Sequence, residues 1–154
     1  MKLLIALALA ATAPVQEDVY SQSWSSTHWS LLAVEGDAPE RVAVLVDRDT
    51  IRTGATPNLR EVSLLSTVEG MPTRWGIVAR VRVDCAAKSF AELGRASFFE
   101  SGRKDEVPPS VTMAPLKPDS GFYTALAGIC DGNWSGLKAV DVVGTQIVRN
   151  AFKP

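Results

Sequence analysis

Histidine is almost missing from this chain, and cysteine nearly so: His28, Cys85 and Cys130 are the only representatives among 154 residues. A structural zinc site takes four ligands at spacings such as C-x-x-C. Neither cysteine has such a neighbour, so no metal centre is expected. Charge of one sign is not in excess either, with 16 Lys and Arg against 17 Asp and Glu. Nucleic-acid binding needs a basic field, which leaves DNA and RNA out as partners. The scarcity of histidine bears on catalysis too. A general base needs a nucleophile and an orienting group around it, and the sequence around His28 offers no recognisable constellation. Catalytic residues, cofactors and metals are therefore all expected to be none. No apolar run reaches the roughly 20 residues that span a bilayer, and neither an internal repeat nor a low-complexity block occurs.

What is present is enough apolar residue, 46%, to build one core in a chain of this length, so a single domain is expected. The first residues, MKLLIALALAATAPVQ, place a lysine before an apolar run from Leu3 to Ala11 and then small residues. That is the pattern of a secretory leader, with cleavage after Ala13 or after Ala10. Residues 1–13 are assigned to it, and 14–27 to a polar leader without clear structural signal. No cysteine lies near the leader, so the exported protein, periplasmic or secreted, is expected to lack a lipid anchor.

Downstream, HWSLLAVEG and RVAVLVD predict a hairpin turned at Gly36-Asp37, with Val42, Val44 and Val46 on one face. DRDTIRTGATPN predicts a loop, with a turn of helix from Asp49, because aspartate and threonine bond to nearby backbone. LREVSLLSTVE alternates as a third strand. In RWGIVARVRVDC, Trp75, Ile77, Ala79, Val81, Val83 and Cys85 share one parity, while Arg74, Arg80, Arg82 and Asp84 hold the other. AAKSFAELG is ambiguous, and RASFFES is a further short strand. Pro108, Pro109, Pro115 and Pro118 then predict an extended loop at one end or edge of the sheet. KPDSGFYTALAGICDG changes to helical period, with Asp119 or Ser120 as N-cap and Gly132 as terminator. The extension from 131 to 154 is expected to be helical, with Gly144 as a weak point.

In an exported chain two cysteines read first as one disulfide, Cys85 to Cys130. Cys85 ends an inward-facing strand row, and Cys130 falls on the apolar helix face, so the bond would pin helix to sheet. The alternative, a reactive thiol, needs an electropositive, accessible setting and usually a histidine partner.

Trp29 in the first strand, VDRDTI from Val46 to Ile51, Cys85 ending a long strand, APLKPDS from Ala114 to Ser120 and Cys130 ten residues later occur in an order that resembles the bacterial surface-adhesin protein E-like family. The resemblance covers 28–130. It implies an α+β domain in which an antiparallel sheet of about five to six strands is flanked by a C-terminal helix tethered by the disulfide. It also implies a role in envelope or surface interaction.

Arg74, Arg80 and Arg82, on the face opposite the expected core, could form a cationic strip for an acidic partner. The plainer reading is a solvated sheet face whose charges discourage edge pairing. Trp134, in the glycine-flanked DGNWSG, is the candidate for an exposed aromatic contact, against packing under the C-terminal segment; Trp29 and Trp75 are expected in the core. Asp47 and Asp49 are assigned turn and capping roles. Asn133-Trp134-Ser135 matches a glycosylation acceptor by chance. The expected function is a non-catalytic exported protein that binds an unknown envelope or extracellular macromolecule. A periplasmic inhibitor or structural module is the alternative, a small hydrolase stands behind both, and a second copy of the chain is left open as a partner.

Overall fold

The alternating segments become strands that pair mainly with their neighbours in the chain. The computed structural model describes residues 18–71, 74–108, 110–143, 146–147 and 150–152, with backbone alone at 74, 75, 110 and 111. The leader expected at 1–13 lies outside the described residues, as does the side chain of Trp75. Strands β1 (Trp29–Glu35), β2 (Val42–Thr53), β3 (Leu59–Val68), β4 (Arg74–Asp84) and β5 (Ser89–Phe99) form an antiparallel meander. To it are added β6 (Lys104–Val107), β7 (Ser110–Pro115) and β8 (Lys138–Val140), giving the order β6-β5-β4-β3-β2-β1-β8 with β7 also on β5. The helices are α1 (Val19–Trp24), α2 (Gly121–Thr124) and α3 (Leu126–Asp131). The fold is α+β with an antiparallel sheet, as expected, but the strands among the described residues number eight rather than five to six.

The added strands lie where proline or polar composition hid them. β6 pairs with Arg95–Phe98 and β7 with the Ser89–Glu92 stretch of the same edge of β5. Together they make one outer strand interrupted at Pro108. Proline gives no N–H to a ladder, so it is confined to edges and interruptions. The edge location expected for this segment holds; its conformation as a loop does not. β2 likewise continues through the DRDT segment, where a loop and helical turn were expected.

Both faces of the sheet are buried. One row in register across five strands is Leu31, Leu45, Leu65, Val78 and Ala96. With Trp29, Ala43, Phe98, Val140, Ile147 and Ala151 it forms the first core cluster, packed by Tyr20 and Trp24 of α1. On the opposite face Val46, Val62, Val81 and Val83 pack against Ala125 and Ile129. Val78 therefore lies fully buried on the parity of the arginines. The single apolar face expected for β4 is corrected, because a sheet covered on both sides loses strict alternation.

The helix predicted at 120–132 forms as two short pieces hinged at Ala125. Ser120 caps the first through Tyr123 N (3.2 Å), and Gly132 ends the second at φ +71°. Its apolar side delivers Cys130 to Cys85, and the two are disulfide-bonded with Cα atoms 5.9 Å apart. The extension is not simply helical: β8 pairs with β1 through Trp29 opposite Val140, and helix is found at 146, 147 and 150. Its end is pinned by Arg41, which bonds Glu69 through two contacts of 2.6 Å and lies over the Phe152 ring.

Candidate functional site

Two residues along from the apolar row, the same sheet face carries a row of different chemistry. Trp29, Asp47, Ser63, Arg80 and Gly94 stand opposite one another on β1 to β5. Asp47 continues the buried positions Ala43 and Leu45, and it is itself fully buried. Polar side chains at such positions need a cover that satisfies them. The cover is α1, in the segment read from sequence as a polar leader without clear structural signal.

α1 forms because Asp18 caps it. One carboxylate oxygen accepts from Ser21 N (3.1 Å) and the other from Ser21 Oγ (2.7 Å). Asp18 also pairs with Lys104 of β6, and this bond, with those from Ser21, holds its pKa down at about 2. The next turns place Tyr20 and Trp24 on the inner side. Trp24 stacks on Phe98 with ring centroids 4.7 Å apart. Tyr20 Oη lies 2.5 Å from where a Cβ on Gly94 would stand, and Gly94 itself sits at φ +140°, a conformation that favours glycine. The helix thus crosses the sheet from β6 toward β2 as a strap, ending with Ser23 and Ser26 near Asp47.

The far anchor is a bulge built by VDRDTI. Asp47 pairs with Ser63 and Arg52 with Glu61, so five steps along β2 match two along β3. Side chains replace the missing ladder bonds. Thr50 Oγ1 donates to the Asp47 carbonyl and accepts from Ser63 N, each at 2.9 Å. Asp47 Oδ1 accepts from Asp49 N (3.1 Å) and from Ser26 Oγ (2.7 Å). The turn role expected for Asp47 describes this oxygen. Asp47 Oδ2 and Ser23 Oγ, both buried, make no hydrogen bond of good geometry, although Ser23 is close enough to act on the carboxyl. Burial raises the Asp47 pKa, with repulsion from Asp49 acting the same way, against the bonds from Ser26, Asp49 N and Ser23.

Outside this anchor an open polar depression of about 390 Å³ is lined by Gln22, Ser25, Ser26, Asp47, Asp49, Thr50 and Arg52. His28 stands beside it, its Nδ1 2.7 Å from Asp49 Oδ2, both side chains exposed. Ser26 Oγ donates to Asp47 Oδ1 and accepts from the His28 backbone N (3.4 Å). Hydroxyl, imidazole and carboxylate are thus gathered, but the hydroxyl is bonded to the carboxyl at position 47. Among the described residues no cluster of three or more His, Cys, Asp or Glu could hold a metal ion.

The other sequence-predicted contacts fall elsewhere. Arg80 and Arg82 share the face of α1 rather than opposing the core, and both are tied to Glu61, at 2.8 and 2.6 Å. With Glu61 they form a partly buried triad that keeps one net positive charge, and only their expected place opposite the core is corrected; the side chain of Arg74 lies outside the described residues. Trp134 is half-buried over α3, its ring 2.3 Å from where a Gly128 Cβ would stand, and it packs on the second core cluster. The signal that would have marked Asp47 was a carboxylate continuing the Ala43, Leu45 row. No protein family, curated protein or solved structure matches the chain.

Proposed function

We propose that this chain is an exported, non-catalytic protein that binds an envelope or extracellular macromolecule, adhesin-like in the manner its motif order resembles. The reading rests on an export-like leader and the Cys85–Cys130 bond, since disulfides persist in oxidising compartments. The absence among the described residues of a helix long and apolar enough to cross a membrane is compatible with it. The observation that carries the binding role is the end of the sheet formed by the β1–β2 hairpin and the β3–β4 turn. There Val34 and Met71 are about 40% exposed (39% and 43%). Pro39, Glu40, Val68, Glu69, Gly70 and Met71 line an open depression of about 410 Å³. Exposed apolar groups rimmed by charge mark contact surfaces. The test is affinity capture from cell envelopes with the mature protein and with Met71→Asp, both checked for folding by circular dichroism. A partner held by the wild type and lost by the variant is the expected result. A folded wild type that holds no specific partner refutes the binding role, and equal capture refutes this surface.

A small hydrolase is the second reading, favoured by the polar depression that brings Ser26, His28 and Asp49 together. It requires Ser26 to leave Asp47 and turn to the imidazole. Covalent labelling of Ser26 by a fluorophosphonate, lost in His28→Ala, would establish it in place of the binding role.

A further inference from the structure

The end of the sheet that exposes Val34 and Met71 is a single platform made by two turns. Glu69 N donates to the Arg41 carbonyl (2.8 Å), and the Pro39 carbonyl oxygen lies 3.0 Å from where a Cβ on Gly70 would stand. The β1–β2 hairpin and the β3–β4 turn therefore meet. Val68 and Met71 line the depression there together with Pro39, Glu40, Glu69 and Gly70.

The charge around this apolar floor is mostly of one sign. Residues 35–42 and 68–71 carry Glu35, Asp37, Glu40 and Glu69 against one cation, Arg41. Arg41 is held by Glu69 through two bonds of 2.6 Å and lies over the Phe152 ring. Glu35, Asp37 and Glu40 are exposed, and none of them enters an ion pair among the described residues. Arg74 opens β4 just past the turn, and carboxylates remain in excess even when it is counted as a second cation. The whole chain carries a net charge of only -1, so the excess belongs to this platform and not to the surface at large.

We propose that the platform docks a basic segment of another protein, in which lysine or arginine flanks an apolar side chain: the apolar group sits against Val68 and Met71, and the cations face Glu35, Asp37 and Glu40. The inference rests on the binding role proposed above and names the chemistry of the partner. Charge sign separates the occupants. A second copy would bring the same carboxylates to these across an isologous contact, and like charges set face to face cost affinity. Anionic lipid and acidic polysaccharide are repelled in the same way. A basic segment is attracted before contact, because three unpaired carboxylates on neighbouring turns add their fields within a Debye length. An exposed ion pair contributes little alone, so the apolar floor and the charged rim must be engaged together.

The experiment is an NMR titration of the full mature chain with three synthetic octapeptides: one with lysines around two central leucines, one with glutamate in place of each lysine, and one with serine in place of each leucine. The Met71 methyl and the Glu40 and Gly70 amides report on the platform. Met113 is the control, 40% exposed against 43% for Met71, on β7 at the opposite end of the sheet. The lysine and leucine peptide should shift the platform signals and leave Met113 unmoved, and the other two should shift neither. Its Kd should rise when NaCl is raised from about 50 to 500 mM. It should also rise roughly threefold for each charge removed by Glu35→Gln, Asp37→Asn and Glu40→Gln, reaching about thirtyfold in the triple variant. No shift at Met71 overturns the inference, as do equal shifts with the glutamate or serine peptide, or an unchanged Kd in the triple variant. A Met71 shift that follows protein concentration alone seats a second copy on the platform and overturns it too. Envelope capture separates the two levels: a partner lost by Met71→Asp but held by the triple variant keeps the surface and overturns its charge preference, whereas a wild type that captures nothing overturns both.

Discussion

Replacing Cys85 and Cys130 by alanine removes a bond that closes a loop across 45 residues. In the chain-entropy treatment, closing a loop of this length takes about 13 cal/mol/K from the unfolded ensemble, about 4 kcal/mol at 25 °C. The folded side should change little. Ala125 (0% exposed) and Ile129 (2%) still bury α3 against Val46, Val62, Val81 and Val83. The loss should therefore appear as global destabilisation of about 4 kcal/mol, a large part of the roughly 5–15 kcal/mol that holds a domain together. In thermal unfolding it should lower Tm by roughly 8–16 °C. Urea unfolding of the oxidised wild type and the double variant measures it, with amide exchange read in parallel on β2, β3 and α3. An entropic effect on the unfolded chain lowers protection in all the slowest-exchanging strands. A loss below about 1 kcal/mol, or one confined to α2 and α3, would refute the reasoning and make the bond a local clamp.

Two smaller perturbations probe the covers on either face. Gly128→Ala drives a methyl into the Trp134 ring at 2.3 Å, so thermal unfolding should show a loss of about 1–3 kcal/mol, partly recovered when Trp134→Ala makes room. Asp18→Asn keeps a capping oxygen but gives up the charge that pairs with Lys104. Because the Asp18 pKa is lowered to about 2, its contribution is present above the unfolded carboxylate pKa and disappears as pH falls through 2. The variant should be less stable than wild type at pH 6, and the difference should close as acid is added; a constant gap down to pH 2 contradicts the ion pair's role.

Much of the fold was legible because its signals are local. Alternation marks β1, the first half of β2, β3 and β4, Ser120 and Gly132 bound the helical segment, and two cysteines in an export-like sequence admit one intramolecular pairing. Where reading failed, a local signal was overridden by a distant partner. The proline-rich segment is strand because β5 offers an open edge along its whole length. The YSQSW part of the leader is helical because Tyr20, Trp24 and Asp18 find Gly94, Phe98 and Lys104, more than seventy positions away. Arg80 and Arg82 read as a solvated sheet face because Glu61, which holds both, stands on another strand.

The sequence by itself determined a succession of alternating and helical segments and the chemistry available: almost no histidine, balanced charge and one pair of thiols. These follow from periodicity and composition, which need no knowledge of neighbours. Only the tertiary structure decided that both faces of the sheet are covered, and that Asp47 falls in the register of Ala43 and Leu45 beneath a helix. A carboxylate in a run of aspartates looks like a turn residue until its strand is placed between Trp29 and Ser63. Burial is a property of the assembled chain, and it is burial that makes this carboxyl different from the aspartate two residues on.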